Sequence, residues 1–312
     1  MHQLLPFRRP WLVVAFVAAL AQLTPAQGPP GPQGRQGGRG GQPPRPDRKQ
    51  VLVWAEMTGG GAYHPSANAA MVAIYSLGKE TGLFDVTLRT DSQFITKQKL
   101  TVPADGRDWP VGRNLDYFDA IFFYGQREIP LSEQQMNDLL SFVKDDGKGF
   151  VAAHTAFNAF QRFPEFAVML GAGYDGHPWG QVEATVIVED PAFPAMKHFA
   201  QTFAFRDEMI QVRDFSRENT RVLIRLDPSS VDLKNANVHR TDGDFPQAWA
   251  RMYGKGRVFV SAFGHDSPTW DRPEIKTMWL EAVKWALGQT EADVTPRPKP
   301  AGNLPDPERV SR

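Results

Sequence analysis

Apolar residues in the first half of the chain alternate between short uninterrupted runs and helical spacing. Residues 51–54 and 120–124 are continuous apolar runs, which is typical of strands buried on both faces of a parallel sheet. Residues 65–79 carry apolar side chains at helical spacing, and residues 84–88 alternate as a half-buried strand does. This strand–helix–strand order predicts an α/β fold with a mostly parallel sheet and right-handed crossovers.

The pattern continues with a helix, a fourth strand and then a strand-rich second half. Ser132-Glu133-Gln134-Gln135 is a capping box that begins a helix, and residues 150–153 form the next apolar strand. Gly254-Lys255-Gly256 predicts a tight hairpin turn, and residues 275–287 predict a closing amphipathic helix. The predicted strands of the second half are residues 182–188, 202–205, 221–226, 249–253 and 257–262. Residues 91–113 read as a long inserted loop.

The N-terminus has the pattern of an export signal. Arg8 and Arg9 precede an apolar run over residues 11–23, which is shorter than the roughly 20 residues a membrane-spanning helix needs. Small residues end this segment, so we predict cleavage after Ala26 and a periplasmic or secreted protein with no stable membrane span. An uncleaved anchor is the alternative. The paired arginines leave open whether export uses the general or the twin-arginine route.

Two polar segments flank the predicted folded domain of residues 50–288. Residues 27–49 are rich in Gly, Pro, Gln and Arg, and residues 289–312 are polar and Pro-rich. Neither composition supplies enough apolar surface to offset the entropy lost on ordering, so we predict a disordered linker and a disordered tail.

Charge and cysteine content exclude several functions. Lys plus Arg and Asp plus Glu both number 35, and such a balance gives no electrostatic footprint for nucleic acid. The chain has 0 cysteines, which excludes disulfides, thiolate metal sites and a cysteine nucleophile. Any metal here must therefore be bound through nitrogen and oxygen.

Histidines and carboxylates follow predicted strands or lie in glycine-rich loops. In open α/β sheets ligands bind outside the carboxyl ends of the strands, so these positions predict a common pocket. The candidates for catalysis are His154, His265, Asp207 and Glu208, and the candidates for metal ligation are His64, His154, His177 and His265.

Two kinds of chemistry suit these residue types. Imidazole is the usual general acid or base near neutral pH, and three histidines, or histidines with a carboxylate, form the ligand set of an open site for zinc or a similar divalent metal. Each residue also has a structural interpretation, since a histidine after a strand is often a hydrogen-bonded core residue. No motif such as HExxH selects the metal interpretation.

Aromatic residues flank the same loops. Aromatic faces beside polar groups suit a sugar, which has apolar C–H faces and hydroxyl edges. The predicted substrate contacts are Tyr63, Tyr174, Trp179 and Trp270, and core packing is the alternative for each.

The order of these segments resembles the trehalose-utilisation (ThuA-like) domain family. The similarity rests on Phe150–His154, Pro164-Glu165-Phe166, Gly171–Pro178, Asp207-Glu208 and Gly254–His265 with Trp270, and it extends over about residues 50–288. It implies a flavodoxin-like fold of the class I glutamine-amidotransferase type. His154 stands where amidotransferases carry the elbow cysteine, and His265 corresponds to the late histidine, so glutamine hydrolysis is not expected.

The resemblance also implies a role in carbohydrate catabolism, including that of oxidised (keto) sugars, with a divalent metal as the implied cofactor. Two functions remain open from the sequence. One is an enzyme acting on a sugar or keto-sugar by hydrolysis, elimination or isomerisation. The other is a non-catalytic carbohydrate-binding module. In both, the partner is a small-molecule carbohydrate.

Overall fold

The computed structural model describes residues 45–110 and 112–300, and their centre is one nine-stranded sheet. The predicted export signal and most of the predicted linker lie outside the described residues. Five strands form the parallel half of the sheet in the order β2-β1-β5-β6-β13. These strands are β1 (Lys49–Glu56), β2 (Phe84–Arg89), β5 (Ala120–Gly125), β6 (Gly149–Ala153) and β13 (Gly256–Ser261). This is the doubly wound order of the flavodoxin type, as predicted.

The second half of the chain extends the same sheet with antiparallel strands. Beyond β13 the order is β12-β11-β8-β9, and each of these strands is antiparallel to its neighbours. The strands are β8 (Gln181–Val188), β9 (Thr202–Glu208), β11 (Arg221–Leu226) and β12 (Pro246–Tyr253). β12 and β13 form the predicted hairpin, because Gly254 adopts a positive φ of 58° and a Cβ there would lie 2.4 Å from the Lys144 carbonyl oxygen.

Helices cover both faces of the parallel half. α1 (Ser66–Thr81) and α4 (Pro273–Ala286) pack on one face, and α2 (Glu133–Lys144) and α3 (Pro164–Leu170) on the other. The predicted capping box is present, since the Ser132 hydroxyl accepts from the Gln135 backbone and the Gln135 side chain accepts in return from the Ser132 backbone. The 3₁₀ turns are Leu115–Tyr117, His154–Asn158, Pro194–Met196, Pro228–Ser230 and Ser267–Asp271.

Two regions between the main elements differ from the sequence-based expectation. The predicted inserted loop contains an exposed hairpin of β3 (Thr101–Ala104) and β4 (Arg107–Pro110). The glycine-rich segment predicted to be a loop contains β7 (Gly173–Tyr174), which pairs with β10 (Val212–Arg213). Such short strands leave too few residues for a recognisable alternation pattern.

The predicted disordered ends are packed where the structure describes them. Residues 289–300 follow the surface without helix or strand, and Ala292 and Val294 pack against the core. Arg221 donates to the Thr295 carbonyl oxygen, and Arg45, in the predicted linker, pairs with Asp119. These contacts were not predictable from composition because their partners are distant in the sequence. Residues 301–312 lie outside the described part of the chain.

Within the described residues, none of the helices has the length and apolar composition required to cross a membrane.

Candidate active site

Three histidines are held at the carboxyl ends of the central parallel strands. His154 directly follows β6, His265 follows β13 by three residues, and His64 lies in the loop after β1. His154 has a φ of 47°, a left-handed conformation that is uncommon for a non-glycine residue and often marks functional sites. It begins the 3₁₀ turn His154–Asn158, so the chain turns sharply at the point where the side chain enters the site.

The fourth member of the site, Glu208, comes from the far edge of the sheet. β9 is four strands away from β13, which in a flat sheet would place it about 19 Å away. However, the side chain of Asp207, the neighbour of Glu208, accepts a 2.8 Å hydrogen bond from the Gly264 backbone. The antiparallel half of the sheet must therefore curl back over the ends of the parallel strands, and this curvature brings Glu208 to the histidines.

The four side chains converge on one small volume. One ligand atom from each of His64, His154, Glu208 and His265 lies within 4.8 Å of all the others. His265 Nδ1 is 3.2 Å from His154 Nε2 and 3.4 Å from Glu208 Oε2, and His154 Nε2 is 3.6 Å from the same Glu208 oxygen. Three of the atoms thus form a nearly equilateral triangle.

Backbone carbonyls fix which nitrogen of two imidazoles is free. His154 Nδ1 is 2.7 Å from the Ala262 carbonyl oxygen, and His64 Nδ1 is 2.9 Å from the Ala62 carbonyl oxygen. A carbonyl can only accept, so Nδ1 carries the proton in both rings and Nε2 presents a lone pair to the site. Orientation of a ligating histidine through its second nitrogen is common in metal sites.

The three histidines differ in the direction in which their surroundings shift the pKa. Burial lowers the pKa of His154 to about 3, and burial also lowers the pKa of His64. The hydrogen bond with Glu208 raises the pKa of His265. Burial alone would raise the pKa of Glu208, but its hydrogen bond with His265 and the charges of the nearby imidazoles outweigh this effect and lower it. Near neutral pH the site therefore contains an anionic carboxylate and two neutral imidazoles.

Asp207 was predicted to be catalytic, but the structure places its carboxylate in contact with backbone. Its oxygens accept from the backbone N–H groups of Gly264 at 2.8 Å, His265 at 3.1 Å and Glu208 at 2.8 Å. Burial raises the pKa of Asp207 to about 6. Asp207 thus ties the loop carrying His265 to the strand carrying Glu208, and it positions these two residues.

The donor set fits a divalent metal. A tetrahedral ion bound at about 2.0–2.1 Å by nitrogen and oxygen places neighbouring ligand atoms roughly 3.3–3.4 Å apart. The distances within the triangle of His154, His265 and Glu208 are 3.2, 3.4 and 3.6 Å. His64 would complete the set with its free Nε2. Imidazole and carboxylate ligands suit zinc, iron, manganese or nickel.

His177, a predicted metal ligand, lies one layer outside this set. Its Nδ1 is 3.5 Å from Glu208 Oε1, the oxygen that faces away from the other histidines, and its side chain is half exposed. A cavity of about 280 Å³ adjoins it, lined by Tyr174 and by the Asp175–His239 pair, whose atoms are 3.1 Å apart. Burial raises the pKa of Tyr174 to about 12, so this phenol is a hydrogen-bond donor at neutral pH. His177 lines this cavity and also approaches Glu208, and the Tyr174 ring lies 6.2 Å from the His177 ring; we call these two residues the rim.

The other predicted substrate contacts are separated by the structure. Tyr63 is exposed in the loop before His64, with its hydroxyl 3.1 Å from Asn68 Nδ2. Trp179 packs against Phe245 and donates to the Asp232 carbonyl oxygen. Trp270 is 1% exposed, stacks on Trp279 and donates to the Gly264 carbonyl oxygen, so it supports the site from beneath and offers no face to a ligand.

Sequence reasoning did not identify two residues that support the site. Gln126 directly follows β5, and its side-chain amide donates to the Gly60 and Ala62 carbonyl oxygens of the loop that carries His64. The search for polar residues after strands would have found it if extended beyond histidine and acidic side chains. Tyr124 is buried, its hydroxyl is 2.7 Å from Ser66 Oγ, and its ring lies 5.9 Å from that of His154. Its position inside an apolar run gave no signal.

Fold and site together define a flavodoxin-like α/β protein in which the imidazole of His154 directly follows β6 and, with no cysteine in the sequence, no thiol is present. The family model described as "Trehalose utilisation" matches residues 50–286, and the chain belongs to this ThuA family.

Solved structures share this fold. A ThuA-like protein from Bacteroides uniformis superposes with a TM-score of 0.58 at 20% identity, covering 80% of this chain and 95% of the other. A second ThuA-like protein, from Parabacteroides merdae, has a TM-score of 0.57 at 17% identity, covering 82% of this chain and 94% of the other. At these identities the comparison establishes the fold alone. A search of curated proteins gave no match.

Proposed function

We propose that this protein is an exported enzyme that binds a divalent metal through His64, His154, His265 and Glu208 and acts on a sugar or keto-sugar. The observation that supports the metal is the convergence of these four side chains within 4.8 Å. The family description, trehalose utilisation, supports the carbohydrate substrate. The pattern of residues 1–26 supports export, and a mature protein beginning at Gln27, measured by intact mass, would test this part.

The residues of the site divide into holding and positioning roles. His64 and His154 present Nε2 lone pairs whose direction is fixed by carbonyls, and Glu208 supplies a negative charge that offsets that of a cation. Asp207 positions the backbone of His265 and Glu208. A bound divalent metal supplies Lewis acidity, which polarises a carbonyl or activates water.

The substrate is expected at the rim formed by His177 and Tyr174. A half-exposed imidazole and a phenol that stays protonated at neutral pH are suited to hydrogen-bonding sugar hydroxyls. The cavity beside them has a volume of about 280 Å³, near the lower end of small-molecule pockets, which suits a small ligand such as a single sugar ring. Hydrolysis, elimination and isomerisation of a keto-sugar all need a polarised carbonyl or an activated water, and all three remain within the proposal.

Metal analysis combined with a substrate assay tests the proposal. We expect about one zinc-type ion per chain in protein purified without chelator, and turnover of oxidised (keto) disaccharides. His265→Ala should remove both while the protein stays folded. The matched control is His198→Ala, because His198 is exposed and contacts the Glu274 carbonyl oxygen and the neighbouring Phe199 ring, away from the site.

Two results would count against the enzyme. Sugar binding without turnover in the metal-loaded wild type would indicate a carbohydrate-binding module. A wild-type protein that takes up no divalent ion, even when it is added, would refute the metal site.

A further inference from the structure

A cavity beside α3 lies apart from the histidine site. Its volume is about 610 Å³, within the range of small-molecule pockets, and none of the four proposed metal ligands lines it. One side is apolar and formed by Phe157 of the turn that begins at His154, by Phe160 and Phe163, and by Ala167 of α3. A cavity lined in this way favours a ligand with an apolar body.

The same cavity is also lined by an arginine, Arg251, without an acidic partner. Arg251, on β12, donates from Nη1 to the Val168 carbonyl oxygen at 2.9 Å. Among the described residues, no carboxylate forms an ion pair with the Arg251 guanidinium. Burial lowers the pKa of Arg251, which means that its charge has lost water without gaining a counter-ion. A partly desolvated cation facing a cavity favours an anion there.

Gly171 leaves space for the Arg251 guanidinium at the wall of the cavity. Gly171 has a φ of 90°, and a Cβ there would lie 3.0 Å from Arg251 Nη1 and 3.1 Å from Thr220 Oγ1. The absent side chain therefore makes room for the guanidinium. The Thr220 hydroxyl is buried and has no hydrogen-bond partner among the described residues, so a polar group without a partner lies beside the unpaired charge of Arg251.

A second arginine approaches the same wall. The Arg213 guanidinium carbon is 3.4 Å from the position that a Cβ on Gly173 would occupy. Gly171 and Gly173 are two residues apart, so their Cα atoms are at most about 7 Å from each other. Arg213 pairs with Asp214 at 2.7 Å, whereas Arg251 has no such pair. The wall therefore has an excess of one positive charge.

We propose that this cavity binds a small organic acid with an apolar body, whose carboxylate pairs with Arg251 and whose body packs against Phe157, Phe160 and Phe163. Guanidinium and carboxylate match in a bidentate geometry, which a neutral amide does not reproduce. This site is independent of the proposed metal centre and of the sugar reaction.

Calorimetric titration with phenylacetate tests the proposal, with phenylacetamide as the neutral control of the same shape. We expect one saturable site per chain that binds phenylacetate at least tenfold more tightly than the amide. Arg251→Met should reduce phenylacetate affinity about tenfold or more, and the matched control Arg107→Met, on the exposed hairpin outside the cavity, should not change it. Chelator-treated protein should bind phenylacetate as well as untreated protein does.

A second variant separates loss of binding from loss of folding. Ala167→Trp keeps Arg251 and adds volume to the cavity from an α3 position that is only partly buried, so it should block phenylacetate while preserving the fold. The proposal is overturned if wild type shows no saturable binding, if phenylacetate and phenylacetamide bind equally, or if neither Arg251→Met nor Ala167→Trp weakens binding.

Discussion

The affinity of the proposed metal centre should depend on pH through a single proton, that of His265. The hydrogen bond with Glu208 raises the pKa of His265 above its ordinary value of 6.5, whereas burial lowers the pKa of His64 and lowers that of His154 to about 3. Metal binding requires unprotonated imidazoles. Just below neutral pH, only His265 therefore carries a proton that the metal must displace.

The size of the pH dependence follows from the number of protons that the metal displaces, which is one. Below the pKa of His265, one displaced proton makes the logarithm of the metal affinity rise by one unit per pH unit, or about 1.4 kcal/mol. Above that pKa the affinity should level off. Three histidines with ordinary pKa values would instead give a slope approaching three in acid.

In metal-free protein, the same proton on His265 affects the stability of the fold. Because the folded pKa of His265 is raised, its pairing with Glu208 stabilises the fold below pH 6.5, and this contribution is lost as pH rises through the folded pKa. Metal replaces the lost proton: at a free concentration of 100 times Kd it should add about 2.7 kcal/mol to the free energy of unfolding.

Calorimetric titration of chelator-treated protein with zinc between pH 5.5 and 7.5, in buffers of different ionisation enthalpy, measures both affinity and proton release. Magnesium, which prefers oxygen ligands, is the control and should bind far more weakly. Release of two or more protons, or an affinity that does not change with pH, would refute this account of His265.

Three further predictions concern the ligand carboxylate, the core beneath the site and the tail. Glu208→Gln should weaken zinc binding roughly 10–100-fold, whereas Glu183→Gln, an exposed change on β8, should leave the calorimetric Kd unchanged; equal effects would contradict the ligand role. Trp270→Ala should lower the free energy of unfolding in urea by about 3–5 kcal/mol, against under about 1 kcal/mol for Trp109→Ala, which is 50% exposed in the wild type. Ending the chain after Gly288 should cost roughly 1–3 kcal/mol of thermal stability relative to a chain ending at residue 300; no difference would mean the packed tail contributes nothing.

The nine strands of the main sheet, the helices α1, α2 and α4, and the histidine after β6 could be predicted from the sequence because their signals are local. Continuous apolar runs reflect burial on both faces of a parallel strand, and the capping box at Ser132 satisfies backbone groups within one helical turn. The rule that ligands gather at the carboxyl ends of parallel strands indicated His154 and His265, whose nitrogens lie 3.2 Å apart in the structure.

Other assignments depended on contacts between distant parts of the chain. Asp207 and Glu208 are adjacent in sequence, but consecutive residues of a strand point in opposite directions, so one accepts backbone N–H groups and the other reaches the histidines. Which of the two carboxylates contacts the backbone and which reaches the histidines could not be decided without knowing how the sheet curls. The packing of residues 289–300 depended in the same way on partners such as Arg221, about 70 positions earlier.

The sequence by itself determined the order along the chain of the nine strands of the main sheet, the absence of thiol chemistry and the histidines available for a site. Only the tertiary structure decided that Glu208 joins His64, His154 and His265, that His177 lies on the rim, and that Trp270 is buried. The physical reason is that secondary structure follows from interactions within a few residues. A binding site instead depends on distances across the sheet, which are set by the twist and curvature of the whole fold.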